Sequence, residues 1–230
     1  MNLILLFDAD FIAEGRVRLT GRRLEHVTNV HRAAVGDELV VGVAGGRIGR
    51  GRITHLGDAL ELDVTLDREP PAPLPLTLIL ALPRPKVLNR VIASAASLGV
   101  KRIALVNAWR VEKSYWKSPR LSEENLRDQS ILGLEQARDT ILPVIEQHRL
   151  FRPFVEQGTF EGLKLVAHPI ASRDCPRAVT EHVTLAIGPE GGFIAAEVDS
   201  LQRVGFEPVS LGDRILRVET AVAALIARLF

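Results

Sequence analysis

The chain has 230 residues, of which 47% are hydrophobic and 25% charged, a balance typical of a protein that folds around a core. The longest largely apolar run, 74–82, is far shorter than the ~20 residues that a membrane-spanning helix needs, so we expect no membrane partner. A single cysteine, Cys175, excludes an internal disulfide and a multi-cysteine zinc site, and the net charge of +1 does not by itself predict a polyanionic partner.

The first part of the chain has the pattern of a small β-rich domain. Residues 1–7 are apolar, lack the basic start and cleavage site of a signal peptide, and predict a first strand. Leu24, Val27 and Val30 recur at helical spacing, and Gly36 ends that segment. Three further strands are predicted from their composition and from the glycine turns between them: 38–44, 47–56 and 59–66.

Arginines are concentrated in this β-rich region. Between Arg16 and Arg52 there are eight arginines, three acidic residues and no lysine. Because the planar guanidinium suits phosphates and base edges, the cluster is compatible with an RNA-facing surface. A solvated β-face that merely keeps the protein soluble explains the same distribution about equally well.

A proline-rich stretch marks the domain boundary. Four prolines fall within 70–75, where they cannot sit in a regular element and favour an extended linker. We therefore predict a β-rich domain over 1–69, a linker over 70–75 and a second domain over 76–230.

Strands and helices alternate along the second domain, which predicts an α/β fold with a largely parallel sheet. The first helix has apolar residues at helical spacing over 87–98 and is stopped by Gly99, and Ser122 is placed to cap a helix that runs towards Pro143. The predicted strands are 76–82, 102–106, 163–167, 183–187 and 207–211, and further helices are expected near 195–204 and 219–229.

Two glycine-containing segments each follow a predicted strand. The first glycine segment, 187–193, reads Ile-Gly-Pro-Glu-Gly-Gly-Phe, and the second, 211–221, reads Leu-Gly-Asp-Arg-Ile-Leu-Arg-Val-Glu-Thr-Ala. Glycine lets the backbone approach a ligand closely, and α/β sheets bind ligands at the carboxyl ends of their strands. Either segment alone is more simply an ordinary turn. The chain has no P-loop, dinucleotide fingerprint or metal-binding signature, so metal-dependent hydrolysis is not expected.

Together, the two segments resemble the ribosomal small subunit methyltransferase E family, within the SPOUT class of S-adenosylmethionine-dependent RNA methyltransferases. Three shorter stretches are similar to that family as well: 82–86 with 98–103, Glu-Gln-Ala-Arg at 135–138, and His-Pro at 168–169. The resemblance implies a PUA-like β-barrel followed by an α/β domain with a deep trefoil knot, in a cytoplasmic homodimer. It also implies methylation of N3 of a uridine in 16S ribosomal RNA, free or in the small ribosomal subunit, with no DNA partner.

The resemblance further implies a set of site residues. The cofactor, S-adenosylmethionine, is expected to be held mainly by backbone groups of Leu82, His168, Ile187, Gly188, Pro189, Glu190, Gly191, Gly192, Leu211, Gly212, Ile215, Leu216, Arg217 and Thr220. The residues expected to contact RNA are Arg22, Arg23, His26, Arg32, Arg84, Lys86 and Arg138. No metal is expected.

Arg217 and Glu219 are the candidate catalytic residues. We expect Arg217 to steer the RNA or to stabilise the developing uracil anion. Glu219 could orient Arg217, accept a proton, or form a purely structural ion pair at a helix N-terminus. Glu190 is expected to shape its loop.

The chain departs from the family pattern at three places. Residues 93–97 read Ala-Ser-Ala-Ala-Ser where the family commonly has Gln-Lys-x-x-Glu, and residues 1–7 lack the usual arginine. Ile194 replaces the Ser or Thr that would form a capping box with Glu197, which predicts a weaker helix start. Two alternative functions stay open: methylation of another RNA, on transfer RNA or on a ribose 2′-hydroxyl, and non-catalytic RNA binding in ribosome assembly.

Overall fold

The computed structural model describes all 230 residues. It divides into two compact units, one formed by 1–72 with 131–142 and the other by 73–130 with 143–230. Residues 131–142, which the sequence pattern assigns to the second domain, thus pack within the first unit. None of the helices combines the length and the apolar character needed to span a bilayer.

The first unit is built on a six-stranded sheet with the strand order β1-β4-β5-β6-β3-β2. Only β1 and β4 pair in parallel; the other neighbours are antiparallel. Period-two burial along β3, where Val17 and Leu19 are buried and Arg16 and Arg18 exposed, turns one face of the sheet to the core. The strands are β1 (Ile4–Leu6), β2 (Phe11–Ala13), β3 (Arg16–Leu19), β4 (Glu38–Val43), β5 (Ile48–Leu56) and β6 (Leu60–Arg68). The short β2 and β3 were not predicted from the sequence.

The predicted helix of this unit is confirmed, but it changes from an α-helix to a π-helix along its length. Helix α1 (Arg22–His26) continues as a π-helical turn over Val27–His31. The wider turn brings His26 and His31, five residues apart, to a ring separation of 4.9 Å. The segment ends at Arg32, which has a left-handed φ of 52°.

Two arginine–carboxylate pairs hold this helix in the first unit. Arg23 donates to both oxygens of Asp10, at 2.6 and 2.7 Å, and to the carbonyl of Leu5 at 2.9 Å. Arg22 donates to both oxygens of Glu135, at 2.8 and 3.1 Å, and Glu135 is only 1% exposed. The bidentate pairs therefore fix α1 against the N-terminal strand and against the segment 131–142.

The second unit confirms the predicted α/β fold with a parallel sheet. Its six strands, in the order β12-β10-β11-β7-β8-β9, are all parallel. They are β7 (Leu76–Ala81), β8 (Arg102–Val106), β9 (Val144–His148), β10 (Leu163–Ala167), β11 (Val183–Ile187) and β12 (Glu207–Val209). Strands β8, β10 and β11 have the predicted bounds, whereas the exposed edge strand β9 was missed.

Helices connect these strands, as the alternation predicted. Helix α2 (Pro85–Ser97) is terminated by Gly99, whose φ of +86° is the left-handed conformation found just past a helix C-terminus. The amide of Val100 donates to the carbonyl of Ala95 at 3.0 Å. The helices are α2 (Pro85–Ser97), α3 (Glu123–Ala137), α4 (Phe151–Gln157), α5 (Ala195–Arg203) and α6 (Val218–Leu229). Helix α4 was not predicted.

The carboxyl ends of three neighbouring strands lie at the same level of the sheet. The last residue of β10, Ala167, is in register with Ile187, the last residue of β11. It is also in register with Val209, the last residue of β12. Loops that leave these strands therefore start side by side on one edge, and two of them are the glycine segments.

The ion pair of Arg23 gives a prediction on stability. Arg23→Ala leaves the carboxylate of Asp10, 11% exposed in its side chain, without its bidentate partner, and should lower the free energy of unfolding by about 2–4 kcal/mol. Arg18→Ala is the matched control, because Arg18 and its nearer partner Asp58 are 50% and 82% exposed and its second partner, Glu61, is 4.0 Å away, so the change should alter stability by less than about 1 kcal/mol. Urea denaturation measures both, and equal losses would contradict a special role for the Arg23 pair.

Candidate functional site

The three adjacent loops enclose a cavity of about 260 Å³, here named the loop cavity. Its walls come from the loops after β10, β11 and β12 and from one face of α6. The lining residues are Ala167, His168, Pro169, Ile187, Gly188, Pro189, Glu190, Gly191, Gly192, Val209, Ser210, Leu211, Gly212, Arg214, Ile215, Leu216, Val218, Ala221 and Leu225.

The first glycine segment forms a tight turn that only glycine permits. The amide of Gly192 donates to the carbonyl of Pro189 at 2.7 Å, and Gly192 has a φ of +72°. A Cβ added to Gly188 would lie 2.8 Å from the backbone nitrogen of Phe193, closer than real Cβ atoms approach. The turn therefore depends on the missing side chains, and its backbone faces the loop cavity.

A buried carboxylate that does not line the loop cavity holds the backbone next to this turn. Glu197 is 7% exposed and accepts the amide of Trp109 at 2.7 Å with one oxygen and that of Ile194 at 3.0 Å with the other. Arg110 also donates to the carbonyl of Gly191. Although Ile194 cannot supply the hydroxyl of a capping box, the Glu197 half of the box is thus formed, and the start of α5 is better satisfied than the sequence predicted.

The loops after β10 and β12 are tied to each other by backbone hydrogen bonds. The backbone amide of His168 donates to the carbonyl of Val209 at 2.9 Å, and the backbone amide of Ser210 donates to the carbonyl of Arg173 at 2.9 Å. The amide of Cys175 donates to the carbonyl of Ser210 at 2.8 Å. Burial raises the pKa of the Cys175 thiol, so this side chain stays protonated at neutral pH. The loop cavity therefore has a fixed backbone frame.

Apart from His168, Glu190, Ser210 and Arg214, the residues that line the loop cavity are apolar or glycine. Helix α6 contributes Val218, Ala221 and Leu225, spaced three and four residues apart on one face. The glycine segments leave backbone amides and carbonyls close to the cavity, because no Cβ covers them. Such walls suit a flat heteroaromatic group held by the main chain.

A second, larger depression of about 920 Å³, here named the basic cleft, adjoins the loop cavity. The two share Glu190, Ile215, Leu216 and Val218 as walls. The basic cleft is lined by Arg84, Pro85, Lys86, Val87, Arg90, Tyr115, Arg120, Glu190, Ile215, Leu216, Arg217, Val218 and Glu219. Five cationic side chains thus face two carboxylates, so the cleft favours an anionic ligand.

Both carboxylates of the basic cleft have partners in the protein. Glu190 accepts the backbone amide of Arg84 at 2.9 Å, which agrees with the expectation that it shapes its loop. Glu219 lies 3.9 Å from the guanidinium of Arg90 on α2. The ion pair that Glu219 makes is therefore with Arg90, while Arg217, also considered as its partner, is exposed at the N-cap of α6.

Tyr115 contributes an aromatic ring to the same cleft. Its hydroxyl donates to Glu112 at 3.1 Å. Burial, the hydrogen bond and the negative charge of Glu112 raise the pKa of Tyr115, so the phenol is neutral at physiological pH.

The structure brings most of the predicted cofactor residues together. Eleven of them line the loop cavity: His168, Ile187, Gly188, Pro189, Glu190, Gly191, Gly192, Leu211, Gly212, Ile215 and Leu216. Leu82 is 1% exposed at the end of β7, Thr220 lies outside the lining, and Arg217 lines the basic cleft instead. Their roles stay predictions.

Sequence reasoning missed eight lining residues of the loop cavity: Ala167, Pro169, Val209, Ser210, Arg214, Val218, Ala221 and Leu225. The three on α6, Val218, Ala221 and Leu225, could have been found from their helical spacing at and just beyond the end of the second glycine segment. The others lie within two residues of ones that were named.

The residues predicted to contact RNA are divided between the units. Arg84 and Lys86 line the basic cleft. In the first unit Arg32 and Arg138 are exposed, with left-handed φ values of 52° and 57°. Arg22 and Arg23 are engaged with carboxylates, and burial, followed by repulsion from the Met1 ammonium, lowers the pKa of His26 and favours its neutral form.

The sequence matches a family of known proteins over most of its length. Residues 70–230 match the model of the RNA methyltransferase domain. The ribosomal RNA small subunit methyltransferase E of Treponema pallidum is 31% identical, over 99% of this chain and 90% of that protein. The protein of the same name from Synechocystis is 29% identical, over 95% of this chain and 74% of that protein.

Solved structures with a methyl donor share the fold. A ribosomal RNA small subunit methyltransferase E from Neisseria gonorrhoeae, bound to S-adenosylmethionine, superposes with a TM-score of 0.77 at 26% identity, covering 99% of this chain and 95% of that one. A methyltransferase from Legionella pneumophila in complex with the same cofactor gives 0.77 at 26% identity, covering 99% and 96%. With the strand-end cavity and the matches in sequence, these likenesses show that the chain belongs to the ribosomal RNA small subunit methyltransferase E family.

Proposed function

We propose that this protein transfers a methyl group from S-adenosylmethionine to N3 of a uridine in 16S ribosomal RNA. The observation that carries the proposal is the shared wall between the apolar loop cavity and the basic cleft. This arrangement offers a compartment for a heteroaromatic cofactor next to one for a polyanion. The names of the relatives and the cofactor bound in two similar structures support the same assignment.

The residues of the loop cavity fit S-adenosylmethionine. The aliphatic residues of α6 suit the adenine ring, and the backbone of the glycine segments, brought close by the absence of Cβ atoms, can bond its polar edge. When bound, the cofactor supplies an already activated methyl group, so the protein needs to position the acceptor and manage its proton.

The basic cleft provides the groups for that task. Uridine N3 carries a weakly acidic proton, and its loss places negative charge on the uracil ring. Arg217, exposed at the N-cap of α6 beside the shared wall, is proposed to stabilise that charge. Glu219, 23% exposed in its side chain, is a candidate proton acceptor, although its pairing with Arg90 equally supports a structural role.

The finer features of the family complete the proposal. They are a deep trefoil knot in the methyltransferase domain, a PUA-like first domain, a homodimer and a cytoplasmic location. On this reading 1–69 binds RNA, 70–75 links the domains and 76–230 carries catalysis. The small ribosomal subunit or its free RNA is the partner.

Nucleoside analysis distinguishes this proposal from its alternatives. Purified protein is incubated with S-adenosylmethionine and 16S RNA, or small subunits, from cells that lack the gene, and the digested RNA is examined by mass spectrometry. Formation of 3-methyluridine supports the proposal. A 2′-O-methylated nucleoside, or methylation of transfer RNA alone, would assign another RNA, and RNA binding without cofactor binding would indicate a non-catalytic assembly factor.

We expect the glycine segments to control cofactor affinity. Gly188→Val forces a side chain against the backbone of Phe193, and Gly212→Val strains a residue with a φ of +101°. Each change should weaken binding of S-adenosylmethionine at least tenfold, about 1.4 kcal/mol, as measured by calorimetry without added metal.

A control for these variants is available in the same unit. Gly205 also has a positive φ, +96°, but does not line the loop cavity, so Gly205→Val should lower the melting temperature and leave cofactor affinity unchanged. Undiminished binding in both Gly188→Val and Gly212→Val would place the cofactor elsewhere.

Arg217 is expected to act on the rate rather than on binding. Arg217→Ala should slow single-turnover methyl transfer by roughly two orders of magnitude, ~3 kcal/mol, with saturating RNA and cofactor. Arg203→Ala, at an exposed site on α5, is the control and should keep the wild-type rate. A wild-type rate in Arg217→Ala would remove this residue from the mechanism.

The role of Glu219 can be read from a pH profile. If it accepts the N3 proton, Glu219→Gln should be slow near neutral pH and should recover partly as rising pH ionises the imide directly. A slow variant without recovery, and with a lower melting temperature, would make Glu219 a structural partner of Arg90.

The first unit gives a prediction on RNA binding. Changing Arg22, Arg23 and Arg32 together to Ala should weaken RNA binding, flatten its salt dependence and keep cofactor affinity, because phosphate contacts release counterions. Since Arg22 and Arg23 also hold the fold, Arg32→Ala alone is the cleaner test. Arg16→Ala, at an arginine that already pairs with Glu61, is its control. An unchanged salt slope in Arg32→Ala would favour a merely solvated face.

A further inference from the structure

We propose that Arg90 and Arg120 clamp the RNA backbone beside the reacting base, each contacting a phosphodiester group in the basic cleft. The inference rests on the proposed function, which it deepens by naming the contacts that flank the target nucleotide. Neither residue was singled out by sequence motifs. Both line the basic cleft, together with Arg217, which is proposed to act on the base itself.

Arg90 is placed for a ligand rather than for the core. It projects from α2 into the cleft with a side chain that is 65% exposed, and its one ion pair, to Glu219, is long at 3.9 Å. A long, exposed ion pair contributes little to stability. A phosphate that enters the cleft can therefore compete for this guanidinium at small cost.

Arg120 is held in position through its backbone. Its amide donates to the hydroxyl of Ser118 at 3.2 Å, and its carbonyl accepts the side-chain amide of Asn125 at 2.7 Å. Asn125 in turn exchanges two hydrogen bonds with Asn89 on α2, at 3.1 and 3.3 Å. This amide network fixes the backbone of Arg120 against the helix that carries Arg90, and Arg120 is one of the residues that line the cleft.

The charge of the cleft favours a phosphodiester chain over a small anion. The five cations lie at the N-cap and on the helix of α2, in the segment Pro119–Leu121 and at the N-cap of α6, so they line a depression of about 920 Å³ from three elements. The planar guanidinium matches phosphate oxygens in two-point contacts. Arg217 adjoins the wall shared with the loop cavity, and Arg84 and Lys86 are already expected to contact RNA, so Arg90 and Arg120 add two further guanidinium groups for the neighbouring phosphates.

The test measures binding of a fluorescent 12-nucleotide oligouridylate by anisotropy from 50 to 200 mM salt. Arg90→Gln and Arg120→Gln should each weaken binding and reduce the slope of log K against log salt by about 0.7, the loss of one phosphate contact on a single strand. Arg90→Lys, which keeps the charge, should retain most of the slope. Arg203→Gln, on α5 away from the cleft, is the control and should bind as wild type.

Glu219→Gln provides a test of opposite sign. Removing the carboxylate that faces Arg90 should tighten oligonucleotide binding, and this gain should shrink in the Arg90→Gln background because the two residues are coupled. Equal gains in both backgrounds would contradict competition between Glu219 and a phosphate for Arg90.

The outcomes separate this inference from the proposed function. Unchanged slopes in both glutamine variants, while the wild type still forms 3-methyluridine, overturn the phosphate clamp alone. Unchanged slopes with a loss of S-adenosylmethionine affinity would instead assign the two arginines to the carboxylate of the cofactor. Normal slope losses in a protein that methylates no RNA would overturn the proposed reaction and keep the cleft as an RNA-binding site.

Discussion

The candidate site depends on one constraint: the strands β10, β11 and β12 end in register with one another. Parallel pairing sets Ala167, Ile187 and Val209 in register, so three loops that are far apart in sequence begin next to one another. Each loop alone is a turn. Because the three loops start at one edge, and because backbone hydrogen bonds tie the loop after β10 to the loop after β12, they enclose a cavity whose walls are in place before a ligand arrives.

The regular part of the fold could be predicted from the sequence because its residues follow strong local rules. Strands β8, β10 and β11 are apolar runs buried in a parallel sheet, and Gly99 ends α2 in the one conformation that favours glycine. Strand β9 escaped prediction because Val144 and its neighbours are exposed at the sheet edge. The packing of 131–142 within the first unit has no local signal, since it depends on contacts more than 100 residues apart in sequence.

The parts of the candidate site that depend on backbone conformation could be predicted from the sequence. The ion pairs between its side chains were harder to predict. The glycine segments indicated a ligand site at the strand ends because glycine is needed there, as the positive φ values and the close backbone contacts show. The sequence suggested Arg217 for Glu219, but the structure pairs Glu219 with Arg90 from a different helix. Similarly, the arginine cluster of the first unit looked like one surface, whereas Arg22 and Arg23 are committed to carboxylates.

The placement of Glu135 has a consequence for how the chain acquires its structure during synthesis. The first unit takes its last 12 residues, 131–142, from a point in the sequence well beyond its sixth strand. Until Glu135 has left the ribosome, the carbonyl that receives the amides of Asn2 and Leu3 is missing, and Arg22 lacks its carboxylate. The N-terminal unit therefore cannot be completed before strands β7 and β8 and helix α2 of the other unit have been made. A fragment cut at the proline linker lacks part of its own fold.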